Sequence, residues 1–392
     1  MIVGVPKETY PGERRVALVP MVIPNLVKAG FEVLVETAAG AEAGYPDTLY
    51  VEKGAQVLPY RGAIFGRADI VVQVLCYGSN DVTGQADLPL LRSEQVLVGF
   101  LRPLGSVDVI QQIAQTGVIS FAEELMPRTT RTQSMDALSS MGTICGYKAV
   151  LIAASTLPRI FPMLTTAAGT IAPARILVIG AGVAGLQAIA TAHRLGAVAS
   201  AYDLRPSTKE QVQSLGGRFV ELPIEARNAE DAHGYGTAQD ESFYARQREL
   251  LSRVIAESDV IIATAVVPGK RAPVLVTREM VKGMAPGSVI FDLVAERGGN
   301  CELTRAGQIV VEHGVTIIGR INVASQVPYH ASHMYGRNIA AFLLNLVKDG
   351  KLRSDSEDEI IRETLLTRGG EIVNRRVREF FSLPELVSQR AA

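Results

Sequence analysis

The segment "ARILVIGAGVAGLQAIATAHRLGAVASAYDLR", residues 174–205, constrains the fold more tightly than any other. An apolar run of strand length meets a glycine cluster. A helix-length stretch of small and apolar residues follows, and a second apolar run ends at Asp203. Two strands joined through a helix lie parallel, with the helix crossing one face of their sheet. The rhythm continues through "GRFVELP", "DVIIATAVV", "GSVIFDLV" and "VTIIGRINV". Six strands with helical-length connections make a doubly wound sheet.

A similar series fills the first 125 residues. "MIVGVP", "FEVLVET", "ADIVVQVL", "QVLVGFL" and "GVISFAEEL" read as strands. "PMVIPNLVKAG", closed by Gly30, and "VDVIQQIAQTG" read as helices. Their unbroken apolar runs suit parallel strands buried on both faces. The predicted class is α/β, with two Rossmann-like doubly wound parallel-sheet domains. A polar stretch, "MPRTTRTQSMDALSS" at 126–140, separates the series, and an apolar helix follows at roughly 141–157. After residue 331, "SHMYGRNIAAFLLNLVKDG" and "SEDEIIRETLLTRGG" read as helices that pack back on the first domain, since the second sheet already looks complete. The expected domains are 1–138 with 329–392, and 139–328.

Gly180, Gly182 and Gly185 spell G-x-G-x-x-G. The pattern alone is weak, but here it leaves a strand and opens a helix at Val183. The first glycine permits the turn, the second lets backbone approach a pyrophosphate, and the third lets helix and strand pack closely. Asp203 stands where a carboxylate accepts from ribose hydroxyls and repels a 2′-phosphate, favouring NAD(H) over NADP(H). Arg205 is a counter-signal, because an arginine can accept that phosphate. Ligands of such sheets lie at the carboxyl edge, which adds Thr264, Ala265, Val266 and Asn322 as candidates.

Composition excludes other classes. The chain has 392 residues, 47% hydrophobic and 20% charged, which suits a globular protein of two domains. A formal net charge of −1 offers nothing to a nucleic acid. Cys76, Cys145 and Cys301 form no CxxC pair, which fits a reducing compartment and no structural metal site. The charged start lacks a signal-peptide core. No uncharged apolar run of about 18 residues occurs, so no membrane span is expected.

A dehydrogenase acting on a small substrate must move a proton as the cofactor moves a hydride. All five histidines lie at or beyond position 193. The strand ending near Leu75 carries no lysine, and "VGFLRPLG" carries Arg102. Lys7, Glu8 and Arg15 are the remaining polar candidates of the first domain. Direct hydride transfer between two nicotinamides would need no such apparatus, only positioning.

The chain resembles the NAD(H)-binding component of proton-translocating NAD(P) transhydrogenase, and more distantly alanine dehydrogenase. The markers are "VPKE…PGERRVAL", "ELMPRTTRTQSMDALSS", "FPMLTTAAGTIAPARILVIGAGVAGLQAIATA", "STKEQVQSLGG", "PGKRAPVLVTREMV" and "GGNCELT". They span nearly the whole chain. The resemblance implies two Rossmann-like domains separated by a cleft, with NAD(H) mainly on the second. Arg128, Gln133 and Asp136 match a loop over the nicotinamide, and Ser139 matches a further contact to that ring. Gly234 and Tyr235 match the tip of a mobile loop that closes on the nucleotide. It also implies a homodimer, a partner domain presenting NADP(H), and a membrane-spanning subunit that couples hydride transfer to proton movement. Such a component is cytoplasmic and peripheral to the inner membrane. The chain stops at "LPELVSQRAA" without membrane helices, which resembles the stand-alone subunit or an isolated domain.

The resemblance places alanine dehydrogenase's catalytic lysine and histidine in the strand around Leu75 and at Arg102 here, where both are absent, while Arg15 matches its substrate-carboxylate arginine. The alternative, a free-standing NAD-dependent amino-acid dehydrogenase, lacks those two groups. An NAD-sensing scaffold is the non-enzyme reading.

Overall fold

The structure is a computed structural model that describes residues 1–223, 237, 239–353 and 358–384. The chain divides into two compact units, Met1–Met141 with Ser325–Ala392, and Gly142–Ala324.

The first unit is built on an eight-stranded sheet. Six strands are parallel, in the spatial order Gln56–Leu58, Glu32–Glu36, Ile2–Val5, Ile70–Leu75, Val96–Phe100, Ile119–Ala122. By chain order this is 3-2-1-4-5-6, the doubly wound arrangement. Val96–Phe100 and Ile119–Ala122 are buried at every position, as parallel strands covered on both faces must be. Gln56–Leu58 is not legible as a strand in the sequence because it spans three residues.

Two further strands, Leu365–Arg368 and Glu371–Ile372, extend this sheet antiparallel to Ile119–Ala122. The sequence pattern predicts only helices in this tail. "SEDEIIRETLLTRGG" instead forms the short helix Glu359–Thr364 and then turns into a strand. Its partner strand is more than 240 residues away in sequence, beyond the reach of local patterning. The helix Pro328–Leu346 fixes the tail to this unit by burying Tyr335, Ile339, Phe342, Leu343 and Leu346 completely. Each such side chain contributes roughly 1.5–3 kcal/mol when removed from water.

The second unit's sheet runs Arg218–Phe219, Val198–Tyr202, Arg175–Ile179, Val260–Ala263, Val289–Asp292, Val315–Ile318, again 3-2-1-4-5-6 and parallel. A seventh strand, Ile309–Glu312, pairs antiparallel at the edge. Its hairpin turns at His313 and Gly314, both with positive φ, which suits the right-handed twist of paired strands. The signal is present in "IVVEHGVTII", two apolar runs around two turn residues. A second hairpin, Leu164–Thr166 with Gly169–Ile171, is exposed at all six strand positions.

The apolar helix expected near 141–157 runs Ala137–Thr156, and the division between units falls within it. By length and composition it is long and apolar enough to cross a membrane, although Lys148 interrupts its uncharged run. Ala149, Val150 and Ala153 lie in the second unit's core beside Ile176, Val178 and Ile262, so packing accounts for part of its apolar content.

Candidate functional site

In the second unit the glycine turn follows the central strand Arg175–Ile179 and opens the helix Val183–Arg194. Each glycine has a distinct physical reason. Gly180 has φ +97, and a Cβ there would lie 2.6 Å from the Thr264 hydroxyl. At Gly185 a Cβ would meet the Gly180 carbonyl oxygen at 1.8 Å, so helix and strand approach only because it is glycine. Gly182 differs: it is the N-cap, its φ is −75, and a Cβ would meet only an Arg205 nitrogen at 3.9 Å. The fold therefore does not require glycine at 182. The helix N-terminus has no side-chain cap there, and its first N–H groups can meet an anion.

Asp203 follows the strand Val198–Tyr202. Its carboxylate accepts from the Ala181 N–H at 2.6 Å and from the Arg205 N–H at 2.8 Å. The Arg205 guanidinium adds two bonds at 2.9 Å. The pair is mostly buried, and Asp203 thereby ties the second strand's end to the glycine turn. These four bonds already match the roughly four lone-pair sites of an ionised carboxylate, so a ribose hydroxyl must share or displace one of them. Arg205 here braces Asp203 rather than opposing it.

Thr264 leaves the strand Val260–Ala263 and donates its hydroxyl to the Gly180 carbonyl at 2.8 Å. The structure thus brings Gly180, Gly182, Gly185, Asp203, Arg205 and Thr264 together around one strand end. Val183 and Val266 are half-buried. Asn322 donates its N–H to Glu296 and has positive φ. Gly234 and Tyr235 lie outside the described residues.

Two organisers are not expected from the sequence. The fully buried Asn300 exchanges both amide bonds with the Ala265 backbone and also donates to Pro273. Asp292, fully buried, accepts from Cys301 N–H and the Thr304 hydroxyl. Burial raises its carboxyl pKa despite those bonds. Both residues hold "GGNCELT", which gives that marker a mechanical reason.

In the first unit the 126–140 stretch is anchored rather than loose. A 3-10 turn, Thr130–Thr132, is closed by a reciprocal Thr129–Thr132 cap. The Thr132 hydroxyl also reaches the Pro127 carbonyl. Arg131 pairs with Asp358 at 2.5 Å and with the side-chain amide oxygen of Asn345, and Asn338 donates to Ser134 O. Asp136 precedes the helix Ala137–Thr156 and accepts from the Ser139 N–H at 2.8 Å, as an N-cap does. It also accepts from the Ser139 hydroxyl at 2.5 Å. The capping signal, "DALS" before an apolar run, is in plain view. Arg128 and Gln133 are exposed.

The other polar candidates of this unit are spent on structure. Arg15 is buried and forked onto Glu13 at 2.8 and 2.6 Å. Glu8 accepts from the Val74 and Leu75 N–H groups, where a register shift interrupts pairing with the next strand. Burial, then the neighbouring Glu13, pushes its carboxyl up to about 8. Lys7 is exposed and its backbone N–H meets Glu36. Among the described residues no cluster of His, Cys, Asp or Glu is placed to hold a metal ion.

A doubly wound sheet whose central strand leads through such a turn into an open helix N-terminus defines a Rossmann-type nucleotide-binding protein. The chain belongs to the alanine dehydrogenase/PNT family: the C-terminal domain of that description matches residues 149–375 and the N-terminal domain residues 4–145. It is 46% identical over 377 residues to the first part of the NAD(P) transhydrogenase alpha subunit of Rhodospirillum rubrum, covering 95% of this chain and 98% of that one. The NAD(P) transhydrogenase alpha subunit of Cereibacter sphaeroides is 41% identical, over 95% of this chain and 71% of its own. The solved transhydrogenase from Sinorhizobium meliloti superposes with TM-score 0.82 at 40% identity, over 96% of this chain and 100% of that one. An L-alanine dehydrogenase structure gives 0.80 at 25% identity, over 97% and 99%.

Proposed function

We propose that the chain is the NAD(H)-binding subunit of a proton-translocating NAD(P) transhydrogenase. Hydride passes directly between NAD(H) on this chain and NADP(H) on a partner subunit, and a membrane-spanning subunit couples the transfer to proton movement. The observation that carries the reading is the open Gly182 N-cap beside Asp203; the resemblance supports it, because the catalytic lysine and histidine of alanine dehydrogenase fall in the strand around Leu75 and at Arg102 here, where neither residue type occurs. The identity to transhydrogenase subunits supports it.

In this reading the pyrophosphate meets the N–H groups after Gly182, and Asp203 accepts from the adenosine ribose. Arg128, Gln133, Asp136 and Ser139 hold the nicotinamide, with Gly234 and Tyr235 closing over the nucleotide. A guanidinium, an amide and a carboxylate fix a carboxamide by hydrogen bonds. Their contribution is to present a ring face for transfer, since no substrate proton moves. The subunit works as a homodimer at the cytoplasmic face of the inner membrane.

Adding a purified NADP(H)-binding partner domain should start hydride exchange between NADH and NADP⁺. The chain alone should not reduce NAD⁺ with alanine. Robust alanine turnover without a partner would defeat the proposal and favour the dehydrogenase reading.

A further inference from the structure

Glu123 opens the short 3-10 turn Glu123–Leu125, which joins the strand Ile119–Ala122 to the 126–140 stretch. It is 1% exposed. Both its carboxyl oxygens are buried, and neither has a hydrogen-bond partner among the described residues. Neighbouring acids are served differently. Glu124 accepts from the Leu101 and Arg102 N–H groups, Asp136 from Ser139, and Glu8 from Val74 and Leu75. A buried carboxylate with no donor is unfavourable as an anion, so the group keeps its proton.

The surroundings add to this. Glu124, on the same turn, and Asp136 both act on Glu123 as like charges. Burial, then those two acids, raises its pKa far above the usual carboxylate range. From the helix Pro328–Leu346, Tyr335 lies within electrostatic reach, its hydroxyl donating to Gln73 O. Cys76, Glu8 and Arg15 act on Tyr335 as well, and the Arg15 fork is held by Glu13. The helix Glu359–Thr364 buries Ile360, Ile361 and Thr364, none of them titratable, and Asp358 before it is held by Arg131 and Arg353. The strand Val96–Phe100 contributes no ionisable group.

The helix Pro328–Leu346 carries the anchors of the 126–140 stretch. Asn338 and Asn345, seven residues apart, share a face. Each uses one amide atom on this stretch, at Ser134 O and Arg131, and leaves the other buried without a partner among the described residues. The contact therefore has hydrogen-bonding capacity that a second arrangement can use.

We propose that Glu123 is held as the neutral carboxylic acid and is a positioning residue for the 126–140 stretch, which keeps its anchored arrangement only while that proton is present. Losing the proton to solvent places a second negative charge near Asp136 and loosens the Asn338 and Arg131 anchors. Two interacting acids share one charge more readily than two. The nucleotide arm of the test rests on the proposed function; the proton arm does not.

Infrared difference spectra of the full chain at neutral pH should contain a protonated-carboxyl carbonyl band that Glu123→Gln removes and Glu8→Gln retains. Hydrogen exchange of 126–140, corrected for intrinsic rate, should quicken from neutral to alkaline pH in the wild type and stay level in Glu123→Gln. NADH affinity should weaken over the same range only in the wild type, by about threefold or more. Should Glu123→Gln fold poorly, Glu123→Leu serves instead, since it also removes the unpartnered group. No band assignable to Glu123, or wild-type pH behaviour in both variants, overturns the assignment. A band and pH-dependent exchange with no change in NADH affinity or in hydride exchange per bound nucleotide would support the proton assignment and count against the 126–140 stretch as the nicotinamide holder.

Discussion

Gly182 and Gly185 differ by three positions and by what their side chains would strike. A Cβ at 185 falls 1.8 Å from a carbonyl oxygen, so Gly185→Ala should lower the second unit's melting temperature, at a cost of about 1–3 kcal/mol or more. At 182 a Cβ has room, so Gly182→Ala should melt like the wild type yet bind NADH at least about tenfold more weakly, as backbone approach to the pyrophosphate is lost. Calorimetry with and without NADH separates the two. An unaltered NADH affinity in Gly182→Ala would remove the pyrophosphate from this turn. Asp136 needs a similar separation of cap from contact. Asp136→Ala should cost about 1 kcal/mol of stability through the lost cap, whereas Asp136→Asn keeps the cap. Hydride transfer should fall in both if the carboxylate also holds the nicotinamide. Glu8 gives a pH dependence. Its folded pKa of about 8 lies above the ordinary value of 4.5, so the native state holds a proton that the unfolded chain releases. Stability from this group is complete below about pH 4.5 and lost as pH rises towards about 8. Urea midpoints should fall across that window and fall less in Glu8→Gln. Parallel curves would place the responsible proton elsewhere.

At the level of elements, the strands that dominate both sheets are legible because parallel strands buried on two faces write themselves as apolar runs. What escapes the sequence shares a different physics. Gln56–Leu58 is too short for a pattern, and Leu365–Arg368 becomes a strand because Ile119–Ala122 offers it an edge. The site is legible where local geometry dictates residue type, as at Gly180 and Gly185. It is less so where a candidate residue is already engaged in the structure: Asp136 caps a helix and Arg205 braces Asp203. Asn300 and Asp292 escape notice because their partners are backbone groups of loops, which no spacing announces. The hairpin Leu164–Thr166 with Gly169–Ile171 has an unusual exposure for its composition: Met163 is 64% exposed, Leu164 44% and Ile171 51%. Leu164 and Ile171 pair across the hairpin, so their exposed apolar side chains lie side by side, where an association could cover them. If the proposed homodimer forms there, replacing Met163, Leu164 and Ile171 by serine should give monomers in sedimentation with the melting of each unit unchanged. A dimer of wild-type strength in that variant would move the interface elsewhere.

At the scale of the whole molecule, the dehydrogenase and transhydrogenase readings make different demands on the residues present. Arg15 is the residue a dehydrogenase reading relies on, and its guanidinium is buried and forked onto Glu13. A substrate carboxylate would have to displace an existing buried ion pair, and breaking such a pair typically costs about 3–5 kcal/mol. The nicotinamide reading asks for no breaking of a buried ion pair, since Arg128 and Gln133 are exposed. Because Asp203 and the glycine turn hold the far end of the nucleotide in the proposed function, Arg128→Ala should slow hydride exchange with the NADP(H) partner by more than it weakens NADH binding. Losing orientation without losing anchorage lowers the rate per bound nucleotide. Single-turnover exchange at saturating NADH, set beside NADH titration, measures the two separately. Normal transfer per bound nucleotide with collapsed binding would make Arg128 an anchor and not a positioning group.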